Sequence, residues 1–185
     1  MAIDKSNSGF SKMNNSHFGA AQELDSRCNE SVFPAKNIRS AIRDSRDRAY
    51  VVVDSGKVRG FVVFSTKKNP STLHIERIAA DSSAIYDTLI HGVYYITLGA
   101  FGDRDCESIN IACPWGNLTL RGKLIEHGFS VGPVRGDGRN KRLLFSKLMI
   151  ESTWDEGTHY PFGSVVLEEI LGGESRVLGV QEKEM

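Results

Sequence analysis

The sequence predicts an α/β domain, and three stretches carry that reading. Ile109, Ile111 and Cys113 alternate with Asn110 and Ala112, the period of a strand with one buried face. Pro114 ends that strand because proline cannot donate to a ladder. Asn117 then stands at the N-cap of a helix carrying Leu118, Leu120, Leu124 and Ile125, and Gly128 supplies the stop before Phe129 opens another strand. Upstream, residues 49–53 and 58–65 are β-branched and aromatic runs around Asp54-Ser55-Gly56-Lys57, which reads as a hairpin. The third stretch, residues 84–101, is long enough for a buried helix capped by Ser82 or Ser83, although Gly92 and its β-branched residues lower its propensity.

The other elements fall around these. Residues 1–17 are polar and read as a flexible arm. Helical character covers 18–28 and 35–45, the second with Ile38 and Ile42 one turn apart and Pro34 near its start, where proline is tolerated. A strand is expected at 73–79 after the polar turn 67–71, with two more at 129–134 and 142–150 flanking the polar loop 135–141. In 73–79, alternation puts His74, Glu76 and Ile78 on one face and Leu73, Ile75 and Arg77 on the other. The domain is therefore 18–150. Residues 151–185 form a C-terminal extension with a short helix at 164–171, closed by Gly172 and Gly173, that covers a sheet edge or joins a partner chain.

Composition narrows the function classes. Of 185 residues, 40% are hydrophobic, enough for one core, and no apolar run reaches the length of a membrane span. The 23 basic and 23 acidic side chains cancel, which removes the general attraction that nucleic acid or an anionic membrane needs. Cys28, Cys106 and Cys113 are widely spaced, arguing against a disulfide framework or a zinc site and for a reducing compartment. The N-terminal segment has no apolar core of a signal peptide, so a cytoplasmic protein is expected.

The run from Asn117 to Gly128-Phe129 resembles the N-x-x-A…Y-x-x-x-G-F segment of the GNAT superfamily of acyl-CoA-dependent N-acetyltransferases. VVVDSGKVRGFVVFS is similar to that family's second and third strands, HIERIAAD to its fourth, and the order of elements over 18–150 agrees. The resemblance implies a mixed central sheet flanked by helices, with the fourth and fifth strands parallel and splayed to admit the pantetheine arm of acetyl-CoA. It further implies that Ile78, Ala79, Ala80 and Cys113 orient the thioester, that Ser82 and Ser83 meet the pyrophosphate, and that Asn117 and Arg121 contact the cofactor. Glu76, in the fourth strand, takes the position of the general base, where burial would raise its pKa toward the working range.

Two departures stand beside the resemblance. The family's Q/R-x-x-G-x-G/A loop, whose small residues let backbone amides approach phosphate, is replaced by Ala80-Asp81-Ser82-Ser83-Ala84-Ile85-Tyr86, without glycine and with Asp81 adding negative charge. The tyrosine near the leaving thiolate falls at Leu124, so the thiolate would take its proton from water. Helix capping explains Asn117 without a ligand, cross-strand pairing with Arg or Lys explains Glu76, and His127 suits a helix C-terminus. Two functions follow: an N-acetyltransferase acting on an amine of a small molecule or protein, or a catalytically inactive GNAT-fold binding module resembling the ornithine decarboxylase antizymes. The partners expected are an acyl-CoA and an amine acceptor, or a protein, with a homodimer allowed and no metal required.

Overall fold

The strand pattern above closes into a single sheet whose order is decided by long-range pairing. The computed structural model describes residues 9–29, 35–44, 48–68, 71–100 and 106–149. Seven strands pair in the order β1-β2-β3-β4-β5-β7-β6. They are β1 (Gly9–Lys12), β2 (Ala49–Asp54), β3 (Lys57–Lys68), β4 (Ser71–Ala80), β5 (Ser108–Pro114), β6 (Ser130–Arg135) and β7 (Arg142–Leu148). Every pair is antiparallel except β4 with β5, and that parallel pair is joined through helix α3 (Ser83–Ala100), as a parallel crossover requires. The sheet is mixed and flanked by helices, as expected. The extension 151–185, with its expected helix at 164–171, lies outside the described residues.

Each sheet face carries its own core. Leu24 and Ala21 of α1 (Phe18–Cys28) and Ile38 and Ala41 of α2 (Ala35–Arg43) pack on Val51, Phe61, Val63 and Ala79. On the other face, Leu89, Ile90 and Val93 of α3 and Leu120 and Leu124 of α4 (Leu118–Glu126) pack on Val62, Phe64, Ile75, Ile109 and Ile111. The β2–β3 hairpin turns through Ser55 (φ 51°) and Gly56 (φ 73°), the left-handed pair that matches strand twist in a two-residue loop. Among the described residues no helix is long and apolar enough to cross a membrane.

The arm expected over 1–17 needs correction. Residues 9–17 hold β1 and a 3-10 turn (Asn15–His17). Phe10 is the reason: its ring stacks on Tyr50 with centroids 5.0 Å apart and fills the space above Gly92, where a Cβ would lie 2.5 Å from the ring. Two apolar residues, Phe10 and Met13, in an otherwise polar run are too few for a periodic signal, although both are buried.

The two-faced alternation expected for 73–79 is also corrected. Val63 pairs with Arg77 and Phe64 with Ile75, so Glu76 has no partner on β3 and forms a bulge. The inserted residue reverses the alternation. Ile78 and Ala80 therefore join Leu73 and Ile75 in the α3-side core, while Arg77 turns to the opposite face beneath α1. There the guanidinium forks onto Asp25, its Nε meeting Oδ1 and Nη2 donating to Oδ2 at 2.9 Å, with Arg77 3% and Asp25 2% exposed. Asn29 Nδ2 adds a bond to Asp25 Oδ1 at 2.9 Å.

Removing one partner of such a pair leaves a buried charge uncompensated. Asp25→Ala is expected to cost about 3–5 kcal/mol in urea unfolding, and Asp25→Leu with Arg77→Met to recover most of that loss. Equal losses in the single and double variants would show that the ion pair is not the source.

Candidate functional site

β4 and β5 stay together for only part of their length. Thr72–Ile75 pair with Ser108–Ile111, and beyond Ile75 and Ile111 the strands part. Asp81 N donates to Arg59 O at 3.0 Å, which assigns Asp81 and Ala79 to the set bonded to β3 and turns the backbone groups of Ile78 and Ala80 toward the gap. Side chains meet that edge. Asn29 Nδ2 donates to Ile78 O at 3.4 Å, and Cys28 Sγ to Ala80 O at 3.2 Å. Asn117 Nδ2 donates to Asn29 Oδ1 at 3.2 Å and to the Tyr86 hydroxyl at 3.0 Å, and that hydroxyl also meets the Ala80 backbone. Burial pushes the Tyr86 phenol up to about 12 against the opposing pull of the Asn117 bond, so it remains protonated at neutral pH.

The residues singled out from sequence are distributed around this gap. Ile78, Ala80 and Cys113 are buried beside it, whereas Ala79, expected to join them, turns its backbone to β3 and its side chain into the core under α1 and α2. Burial pushes the Cys113 thiol up to about 12, and its Sγ lies 3.5 Å from Pro114 O, the environment of an inert core thiol. Asn117 caps α4 by accepting from Leu120 N at 3.0 Å, while its amide nitrogen spans the gap to Asn29 and Tyr86. Ser82 O accepts from Tyr86 N at 3.2 Å at the start of α3, and Ser83 is exposed beside it. Asp81 is paired with Arg59, which also reaches Asp54 at 3.2 Å, so its charge is compensated within the chain. Glu76, on the bulge, keeps a third of its side chain exposed, with Oε1 3.8 Å from Arg48 Nη1. Arg121 donates to Trp115 O at 3.1 Å at the end of β5. Among the described residues no three His, Cys, Asp or Glu side chains gather as a metal site would need.

No protein-family model and no curated protein sequence matches the chain. Solved structures do. The ribosomal-protein-S18-alanine N-acetyltransferase of Escherichia coli superposes with a TM-score of 0.60 at 15% identity, covering 82% of this chain and 98% of that one. Ard1 from Thermoplasma volcanium gives 0.62 at 12% identity over 76% of this chain and 97% of its own. Naa50 of Arabidopsis thaliana, solved with the bisubstrate analogue CoA-Ac-MVNAL, gives 0.61 at 10% identity over 76% and 98%. The chain has the GNAT fold.

Within this GNAT fold, Asn29, Asp25 and Tyr86 are residues that sequence reasoning missed. Asn29 lies one position past α1 and Tyr86 one turn into α3, and nothing local marks either as facing the other across a sheet. Two buried-type polar residues at helix ends, without a capping pattern of their own, were the one available signal.

A second polar cluster joins α3, α4 and β7 away from the gap. His127 Nε2 lies 2.9 Å from Asp87 Oδ1, Lys123 Nζ 3.0 Å from Asp87 Oδ2, and the His91 and His127 rings are 4.8 Å apart. Lys147 Nζ reaches His127 O at 2.7 Å and the Tyr94 hydroxyl at 3.2 Å. Burial pulls the Asp87 carboxyl upward, but hydrogen bonds from His127 and Lys123 outweigh it and hold the group below its ordinary value. Burial, then the neighbouring His127, holds His91 below its ordinary value.

Both shifts make the folded state bind protons less readily than the unfolded chain, so both contributions to stability are lost as pH falls. His91, together with His17, which burial also lowers, gives a first decline beginning below about pH 6.5. Asp87 adds a second, beginning below about pH 4. Urea unfolding across this range is expected to show both, and His91→Gln to shrink the first while leaving the second. An unchanged first decline in that variant would remove His91 from the account.

Proposed function

We propose that the protein is an N-acyltransferase that moves an acetyl group from acetyl-CoA to the amine of a small molecule or a protein. The observation that supports this most is the early parting of β4 from β5, which turns the backbone groups of Ile78 and Ala80 into a gap beside the exposed start of α3. In this reading the pantetheine arm lies along that edge, Cys113 helps wall the gap from β5, and Asn117 meets the arm's amides. Ser82 and Ser83 present the helix N-terminus to the pyrophosphate. With Asp81 held by Arg59, the charge that stands against phosphate there is reduced.

The chemistry falls to Glu76. The acceptor nitrogen attacks the thioester carbonyl, the C–S bond breaks, and the thiolate leaves, taking a proton from water. Glu76, on the bulge and partly open to solvent, receives the proton released by the amine, directly or through a water. Arg48 Nη1, 3.8 Å from Glu76 Oε1, holds the carboxylate in position on the bulge.

A second reading has its own observation. The edge that acetyl-CoA would use is already engaged by Asn29, Cys28 and Tyr86, with Asn117 tying two of them together. A non-catalytic binding module on the GNAT fold would keep such a closure permanently. An acetyltransferase would open it, with the amides of the pantetheine arm replacing the Asn29 carboxamide.

Calorimetric titration with acetyl-CoA and an amine-acceptor panel separates the two. Wild-type protein is expected to bind acetyl-CoA, and Asn29→Ala to bind it roughly fivefold more tightly, the worth of one net hydrogen bond no longer displaced. Glu76→Gln is expected to lower transfer about 100-fold or more while leaving acetyl-CoA affinity unchanged. Transfer insensitive to Glu76→Gln would remove Glu76 and keep the enzyme. No heat from either wild type or Asn29→Ala, with no turnover, would establish the binding module instead.

A further inference from the structure

Trp115 stands at the end of β5 with 37% of its surface exposed, two residues before the Asn117 that spans the gap. Two cations lie against its indole. Lys141 Nζ is 3.9 Å from the ring centroid and the Arg121 guanidinium 4.9 Å. Backbone bonds hold the group in register: Trp115 N donates to Lys141 O at 3.0 Å, and Arg121 Nη1 to Trp115 O at 3.1 Å.

Among the described residues no carboxylate pairs with this group. Arg48, Arg59, Arg77 and Lys123 each have a carboxylate, from Asp44, Asp81, Asp25 and Asp87 respectively. Arg121 and Lys141 have none within ion-pair distance among the described residues. Attraction to an exposed ring is worth only about 0.5–1 kcal/mol per cation, enough to set a position but not to offset two like charges held side by side. The site is thus a flat apolar floor carrying preset positive charge, and it is completed by an anion. Leu118, three residues further along the chain, is 69% exposed.

We infer that Trp115, Arg121 and Lys141 form a recognition site for a peptide segment carrying acidic side chains. A carboxylate on a peptide suits this surface better than a bare phosphate does, because the indole offers contact area to the peptide chain while the two cations take the charge. The description of that peptide as the acetyl acceptor rests on the function proposed above. The binding itself does not.

The chain holds two tryptophans, so the Trp154→Phe variant leaves Trp115 as its single tryptophan, which can be excited selectively over the tyrosines. The probe is the free-amine peptide Ala-Glu-Glu-Ala-Ala-Leu, with Ala-Gln-Gln-Ala-Ala-Leu as its neutral counterpart. The acidic peptide is expected to change Trp115 emission saturably and to bind about tenfold or more tightly than the neutral one, with affinity falling as salt rises. Arg121→Gln and Lys141→Gln are each expected to weaken it about tenfold, circular dichroism confirming that both variants fold. Equal binding of the two peptides, no response to either, or unchanged affinity in both variants would overturn the inference. Acetyl-CoA or inorganic phosphate displacing the acidic peptide would overturn it too, giving the cations to a cofactor phosphate. Selective capture of the acidic peptide without acetyl transfer would keep this site and remove the enzyme reading, whereas transfer with no preference for acidic peptides would do the reverse.

Discussion

A strand that leaves its parallel neighbour halfway along must find new partners for its backbone, and much of this molecule is arranged around that need. Past Ile75 and Ile111 the sheet offers β4 nothing on the β5 side, and unpaired backbone groups away from water are costly. The end of α1 answers with Cys28 and Asn29, the start of α3 with Tyr86, and the cap of α4 with Asn117. Three helices from both sides of the sheet are thereby anchored to one stretch of edge. The Asp25–Arg77 pair lies beneath the same stretch, and Asn29 belongs to both groups through its bond to Asp25.

The bulge at Glu76 makes this arrangement possible. With a regular ladder, Arg77 would share a face with Leu73 and Ile75 and carry its charge into the aliphatic core under α3. With one extra residue, the guanidinium emerges beneath α1, where Asp25 can fork with it, and Ile78 takes the vacated side. The same residue that disturbs the ladder keeps a third of its side chain open to water, which is why the proposed reaction gives it the amine's proton. Close packing of α3 on the sheet is secured separately by Gly60, where a Cβ would lie 2.6 Å from Ile85 and 2.9 Å from Leu89.

Elements with strong local signals were legible in the sequence. Helix α1, the β2–β3 hairpin, β5 with its terminal Pro114, and the Asn117-capped α4 all announce themselves by periodicity, turn chemistry or capping within a dozen residues. So was the order of elements that brought the GNAT fold to mind. What escaped reading depends on partners far along the chain: Phe10 against Tyr50 and Gly92, Asp25 with Arg77, Asn29 with Ile78 and Asn117. The bulge escaped for a related reason, since a one-residue slip on β4 is defined only against β3. Around the gap, the Asn117 cap could be read from residue type and spacing, and Glu76 and Arg121 were pointed to by the family resemblance, but Asn29 and Tyr86 could not be named, because neither bears a signature until the sheet has formed.

The long reach of Asn29 also bears on how the chain is made. Its partner Asn117 is 88 residues downstream and that of Asp25 is 52. At synthesis rates of about 5–20 residues per second, Asn29 waits roughly 4–18 s before the residue that completes its environment has even been polymerised. Until Arg77 is made, the Asp25 carboxylate at the end of α1 has no cation, and until Asn117 is made, the Asn29 carboxamide lacks its last partner. The N-terminal third of the protein therefore cannot mature as an independent unit on the ribosome, and the moment of final closure belongs to the arrival of β5 and α4.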